Sequence, residues 1–183
     1  MKIYSTRHGQ TDYNKKDLIL GNTNIELNST GLAQAQALSE DIKKSGIKLD
    51  IIISSPLKRA MKTAQIIAEG NDVGLVSDDR LREWDYGSYE GLHRMTEGFY
   101  ESKREFGVRM GGTGESILQV AHRVYSVLDE VISEYKGKNV LLVSHGGICR
   151  VIETYFNNMT TDQYSSWFMG NCQLIEYDAE DRL

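Results

Sequence analysis

The chain has 183 residues, 40% of them apolar and 26% charged, and a formal net charge of −5. That length suits one well-filled core, so a single domain spanning 1–183 is expected. The acidic balance argues against a nucleic-acid or anionic-membrane surface, although a local basic pocket remains compatible with it.

No run of the chain approaches the ~18 uninterrupted apolar residues of a transmembrane helix, and no basic segment followed by an apolar one opens it. Two cysteines, Cys149 and Cys172, are too few for a disulfide framework and wrongly spaced for a zinc site. Reduced thiols and a cytoplasmic setting are the expectation.

In chain order, Met1 to Thr6 reads as a first strand that delivers Arg7, His8 and Gly9. Arginine offers a planar fork to phosphate oxygens, histidine can attack phosphorus, and glycine permits close backbone approach. Gln10 to Asn28 is polar and aperiodic, which predicts a long loop. Thr30 and Gly31 then open a helix to Ser45, with an inward stripe of Leu32, Ala35, Leu38 and Ile42 and a stop at Gly46.

Asp50 to Ser54 has the apolar run of a strand buried on both faces. Ser55-Pro56 begins the next helix, with proline in its first turn, Ala60, Ala64, Ile67 and Ala68 facing inward, and Arg59 one turn in. Val73 to Val76 is a short strand, and Arg80 to Gly91 mixes strand-like and turn-like pieces. Leu92 to Gly114 is irregular and partly helical, with 92–113 expected as a short lid-like insertion. Its Arg94, Lys103, Arg104 and Arg109 are expected to form a solvated face rather than to touch a second substrate anion.

Glu115 to Tyr135 is the clearest amphipathic helix, and its His122 is read as structural, like His93 upstream. Asn139 to Ser144 is a second fully buried strand, leading into His145-Gly146-Gly147 and an apolar helix from Ile148 to Phe156. A short helix near Thr161 to Phe168 and a strand from Gln173 to Tyr177 close the chain.

Strands alternating with long helices predict an α/β fold: a mostly parallel central sheet flanked by helices on both faces. Ligand crevices of such sheets lie beyond the carboxyl ends of the strands, and here two separate strands end in histidine. Arg59 follows a strand ending at the same edge, and Glu83 comes from the loop after Leu81. The candidate set is two arginines, two histidines and a carboxylic acid. The histidines lack metal-ligand spacing, and no phosphate loop for a nucleotide is present, so neither a metal nor another cofactor is expected.

Five motifs in order, Arg7-His8-Gly9-Gln10-Thr11, Ser54 through Ala60, Leu81-Arg82-Glu83 with Gly87 and Glu90-Gly91, Gly114-Glu115-Ser116, and Ser144-His145-Gly146-Gly147, make the chain resemble the histidine phosphatase superfamily, which includes phosphoglycerate mutases. The resemblance covers about residues 1 to 150 and implies a phosphoglycerate mutase-like fold. It implies that His8 attacks phosphorus and carries it as a phosphohistidine, with a backbone carbonyl fixing the tautomer. Arg7, Arg59 and a protonated His145 would hold the phosphoryl oxygens, Gly146 and Gly147 would present N–H groups, and Asn14 would be the next phosphate contact.

By the same resemblance Glu83 would give a proton to the leaving alkoxide and then take one from water. That task asks for a carboxyl able to hold a proton near neutrality, beside an apolar wall such as Trp84 or Tyr86. The chain departs from the family at Asn24-Ile25-Glu26-Leu27, where members often carry Asp-x-Pro-Leu, a change at the pocket rim.

Mutases of that family generally carry a longer insertion here, so by the resemblance the short 92–113 segment favours hydrolysis, and the expected function is a metal-independent phosphomonoesterase acting on a small phosphorylated metabolite. The alternatives are a 2,3-bisphosphoglycerate-dependent phosphoglycerate mutase and a non-catalytic module that binds phosphoryl ligands. Neither the substrate's identity nor the oligomeric state follows from the sequence.

Overall fold

The structure, a computed structural model, describes residues 1–179, so the last four positions of the expected domain, 180–183, lie outside the described residues. Five strands, β1 (Lys2–Arg7), β2 (Ile51–Ser54), β3 (Gly74–Ser77), β4 (Val140–Ser144) and β5 (Leu174–Asp178), form a sheet in the order β3-β2-β4-β1-β5. All neighbours are parallel except β5, which runs antiparallel to β1 at an edge. The mostly parallel sheet expected above is therefore present.

Central β4 is buried along its whole length, and its side chains alternate between two cores. Leu141 and Val143 join Leu38 and Ile42 of helix α2 (Ser29–Ser45) and Ala60, Ala64 and Ile67 of helix α3 (Lys58–Asn71). Val140 and Leu142 join Val124 and Leu128 of helix α5 (Ile117–Glu134) and Ile148 and Ile152 of helix α6 (Gly146–Phe156). A strand covered on both faces has no polar side to show, which is why its sequence is a continuous apolar run.

The helix boundaries refine the sequence reading. The long loop contains a short capped helix, α1 (Asp12–Lys15), in which Thr11 Oγ1 accepts the Asn14 N–H. Helix α2 begins at Ser29 because the Asn28 side chain accepts the N–H of Gly31. Leu32 belongs to the exposed face of α2, and buried Gly31 takes the place expected of it. The cause is close packing: a Cβ on Gly31 would run into the backbone of Gln10.

Pro56 precedes α3 instead of lying in its first turn, since the helix starts two residues later with Leu57 as cap. The 92–114 region holds a short α-helix, α4 (Phe99–Ser102), and a 3-10 turn, Met110–Gly112, and a further short α-helix, α7 (Thr161–Ser166), follows α6. Among the described residues no helix is long and apolar enough to cross a membrane. Cys149 and Cys172 are free, the first buried and the second partly so.

Candidate active site

Strand register brings the two histidines together. Arg7 of β1 pairs with Ser144 of β4, so His8 and His145 leave adjacent strands side by side, with the His8 N–H donating to Ser144 O at 3.0 Å. Their ring centroids are 5.1 Å apart with planes inclined at 60°. β2 ends in register with them, and the Ser55 N–H donates to Val143 O at 3.0 Å. The Ser55 hydroxyl then meets His145 Nε2 at 2.8 Å.

Arg59 lies beneath the two rings. Its Nε–H points at His8 Nε2 and at His145 Nδ1, 3.2 Å from each. Its terminal nitrogens donate to the carbonyls of Gly21 at 2.7 Å and Thr23 at 2.8 Å. Glu90 holds that loop by accepting the N–H groups of Asn22 and Thr23 and the Thr23 hydroxyl. Arg59 and His145 are both fully buried. They stand behind His8 and are not among the residues lining the cavity beyond it.

The cavity has a volume of about 310 Å³ and is lined by Arg7, His8, Asn14, Glu83 and Gly146, among others. Five of the expected site residues thus face one space, while Arg59 and His145 touch it through His8. Arg7 donates to the Met169 carbonyl at 3.0 Å, lies 5.6 Å from the Phe168 ring centroid, and keeps its buried Nε without a hydrogen-bond partner. Asn14 stabilises its own turn with one end, its Oδ1 accepting the Thr11 N–H at 3.1 Å, which leaves the amide NH₂ end for an anion.

Glu83 sits over the start of α6: one carboxyl oxygen accepts the Gly147 N–H at 3.1 Å and the other accepts the Trp84 N–H at 2.8 Å. Only glycine fits below it, because a Cβ on Gly147 would stand 2.5 Å from Glu83 Oε1. The strand-to-helix segment carrying Glu83 is clamped from α5. Arg123 donates to the carbonyls of Arg80, Arg82 and Glu83 and pairs with Glu115 at 2.8 Å.

Electrostatics separate the two rings from ordinary histidines. Burial first, then the guanidinium groups of Arg59 and Arg7, hold His8 well below the usual imidazole range. The ring is therefore neutral, and a backbone carbonyl, that of Gly9, lies 2.7 Å from Nδ1. His145 is likewise pushed well down, by burial, Arg59 and His8. Without an anion a buried ring beside a guanidinium stays neutral, and the protonated His145 expected from sequence refers to the ring holding phosphoryl oxygens. Burial also lowers Arg59, to about 10.

The basic quartet divides. Arg104 is ion-paired with Asp162 at 2.6 Å and Arg109 is exposed, as a solvated face requires. Arg94 and Lys103 instead line the cavity, a correction to the expected solvated face for those two. The irregular chain after Gly91 turns them inward, the Arg94 N–H donating to Asp17 O and Leu18 forming a bridge with His93. At the altered rim, Asn24 and Glu26 tie the loop to α3 through the Lys58 N–H and ammonium, at 2.8 and 3.0 Å.

Sequence reasoning did not assign roles to Ser55, Glu90 or Arg150. Ser55 and Glu90 were visible within the quoted motifs, and Arg150 lies one turn beyond His145-Gly146-Gly147 on α6.

An α/β sheet with two histidines and two arginines at its carboxyl edge, opening on a basic cavity, defines an enzyme of phosphoryl chemistry. The chain belongs to the histidine phosphatase superfamily (branch 1), whose description matches residues 3–182. It is 32% identical to a putative phosphoserine phosphatase 2 of Hydrogenobacter thermophilus, covering 98% of this chain and 90% of the relative. It is 31% identical to a 2,3-bisphosphoglycerate-dependent phosphoglycerate mutase of a Methylobacterium species, over 85% of this chain and 80% of that one.

Among solved structures, a mycobacterial glucosyl-3-phosphoglycerate phosphatase complexed with VO3 superposes with a TM-score of 0.85, at 29% identity over 96% of this chain and 91% of the other. A phosphoserine phosphatase from Entamoeba histolytica in complex with 3-phosphoglyceric acid gives 0.82, at 30% identity over 96% and 89%.

Proposed function

We propose that this phosphatase hydrolyses small phosphorylated metabolites without a metal ion, passing the phosphoryl group through Nε2 of His8. The observation that carries the reading is the His8 ring itself: Nδ1 is committed to the Gly9 carbonyl, so Nε2 carries the lone pair, which accepts the Arg59 Nε–H at 3.2 Å, and the ring lines a basic cavity. Attack in line forms the P–N bond and breaks the P–O ester bond. Glu83 gives its proton to the departing alkoxide and then, as carboxylate, accepts one from the water that attacks the phosphohistidine. The P–N bond breaks and inorganic phosphate leaves.

Positive charge for this transfer comes from guanidinium groups and backbone N–H donors. Arg7, the Asn14 amide and the Gly146 end of α6 face the anion directly. Arg59 now spends its Nε–H on two neutral rings, and an oxyanion between them is a better acceptor. That same anion favours a proton on Nδ1 of His145, so the ring becomes cationic only with substrate in place. A cytoplasmic setting belongs to this reading and rests on two free thiols.

Incubation with p-nitrophenyl phosphate in the presence of chelator tests it: steady phosphate release is expected, lost in His8→Ala, with an acid-labile phosphoryl group trapped on the parent. Tight phosphate binding without release would point to a binding module. The likeness to the Methylobacterium mutase supports a second reading, and phosphoryl transfer between phosphoglycerates far outpacing phosphate release would favour it.

A further inference from the structure

The chain beyond the second histidine motif returns to the nucleophile. Residues 169–173, between α7 and β5, are hydrogen-bonded to the end of β1 and to the turn after it. Arg7 Nη1 donates to Met169 O at 3.0 Å, the Cys172 N–H to Arg7 O at 2.9 Å, and Thr6 Oγ1 to Gln173 O at 2.7 Å. Asn171 reaches furthest: its Nδ2 donates to His8 O at 2.8 Å, the backbone carbonyl of the attacking residue.

The turn that aims Asn171 carries a left-handed step. The Gln173 N–H closes it on Gly170 O at 3.3 Å, the Gly170 N–H donates to Gln173 Oε1 at 2.9 Å, and Cys172 takes a φ of 55° without being glycine. A side chain is seldom held in that region unless its surroundings over-determine it, and such positions gather at functional sites. With that step the Cys172 N–H meets Arg7 O while the neighbouring Asn171 side chain meets His8 O.

An NH₂ group has two hydrogens, and Asn171 directs them to two acceptors. Besides His8 O, its Nδ2 lies 3.5 Å from Asn14 Oδ1, the longer of the two contacts. Asn14 Oδ1 also accepts the Thr11 N–H at 3.1 Å, so both of its lone pairs face donors. Turned end for end, the Asn14 NH₂ would confront those same donors and lose both bonds. Its donor end is therefore left to the cavity, which Asn14 lines beside His8 and Arg7.

We propose that Asn171 is a positioning residue: its one NH₂ group ties the nucleophile's backbone to the Asn14 amide, so that Asn14 offers donors, not an acceptor, to the phosphoryl oxygens beside His8. Asn171 is not among the residues lining the cavity and acts through the two it holds. It lies beyond the motifs that signalled the site, three residues before β5 begins. The inference rests on the phosphomonoesterase reading and deepens it by one residue.

Inorganic phosphate is the probe, and calorimetry reads its binding to the parent, Asn171→Ala, Asn14→Ala and the double variant. Asn171→Ala should weaken phosphate by about 3- to 10-fold when Asn14 is present, and by less than about 2-fold when Asn14 is already alanine. A general loosening of the fold costs the same factor in both backgrounds. That result, or no loss at all in the first, overturns the proposal.

Nuclear magnetic resonance on the unaltered chain decides the question even where Asn171→Ala folds poorly. Both side-chain NH₂ hydrogens of Asn171 should exchange slowly with solvent, and phosphate should shift the NH₂ pair of Asn14. Fast exchange at Asn171, or an Asn14 pair that ignores saturating phosphate, overturns the inference. Neither measurement needs turnover, so absent ester hydrolysis alongside the expected coupling would remove only the phosphatase reading, and equal losses beside brisk hydrolysis only this one.

Discussion

The Nδ1 atom of His8 sits 2.7 Å from the carbonyl oxygen of Gly9. A carbonyl only accepts, so Nδ1 carries the ring's proton and Nε2, on the Arg59 side, carries the lone pair. The strand ends at Arg7, and His8 and Gly9 follow it directly.

The acid limb of activity follows from that ring. Burial, Arg59 and Arg7 depress His8 well below 6.5, so kcat/KM, corrected for ionisation of the ester, should hold steady as pH falls through 6.5 and drop only well below it. A decline already centred at or above 6.5 would count against His8 as the buried nucleophile.

Stability should respond to the same two rings. His8 and His145 both have folded-state affinities for protons below that of the unfolded chain, so the unfolded state binds more protons between their folded values and 6.5. Stability is then fully present above about 6.5 and is lost as pH falls, by up to about 1.4 kcal/mol per pH unit for each ring. Denaturant midpoints measured across this range should show a slope that flattens in His8→Asn and His145→Asn. Saturating phosphate should oppose the loss by binding the folded state.

Glu83 can be tested through its seat. In Gly147→Ala the added methyl meets the Glu83 carboxyl and stands 2.9 Å from the Tyr86 hydroxyl, displacing the acid from the α6 N–H. An alkoxide needs a proton to leave and p-nitrophenolate does not. In kcat/KM, which reports only the steps up to the phosphohistidine, Gly147→Ala and Glu83→Gln should therefore cost alkyl phosphates roughly 10²- to 10⁴-fold, and p-nitrophenyl phosphate far less. Equal losses on both substrates would remove Glu83 from the proton-donor role.

Gly9→Ala probes the turn behind the nucleophile. Its Cβ would collide with the backbone of Gly31 on α2, whose own N–H is fixed by Asn28. Backbone cannot swing aside as a side-chain tip does, so a loss of about 1–3 kcal/mol is expected in chemical denaturation, as for overpacked cores. A variant as stable as its parent would show that this approach is looser than the structure has it.

Much of the architecture was legible in the residues because each signal is local. Ile51-Ile52-Ile53 and Val140 through Val143 could only be strands covered on both faces, and the α5 stripe from Val120 to Ile132 could only face a core. A parallel sheet built from such strands puts Arg7-His8 and Ser144-His145 at one edge, so the candidate site was readable from topology alone.

What no local signal carried was direction and distance. Arg94 and Lys103 look identical in sequence to Arg104 and Arg109, yet two line the cavity and two meet solvent or Asp162. The charge state of His145 depended on how completely Arg59 and the strands bury it, and the layering of Arg59 behind His8 depended on a loop anchored by Glu90 far along the chain. Residue types and their spacing specify which chemistry is possible, because strand and helix periods are short-range. Protonation and access are set by the dielectric and charges contributed by segments distant in sequence, and these exist only once the chain has closed around them.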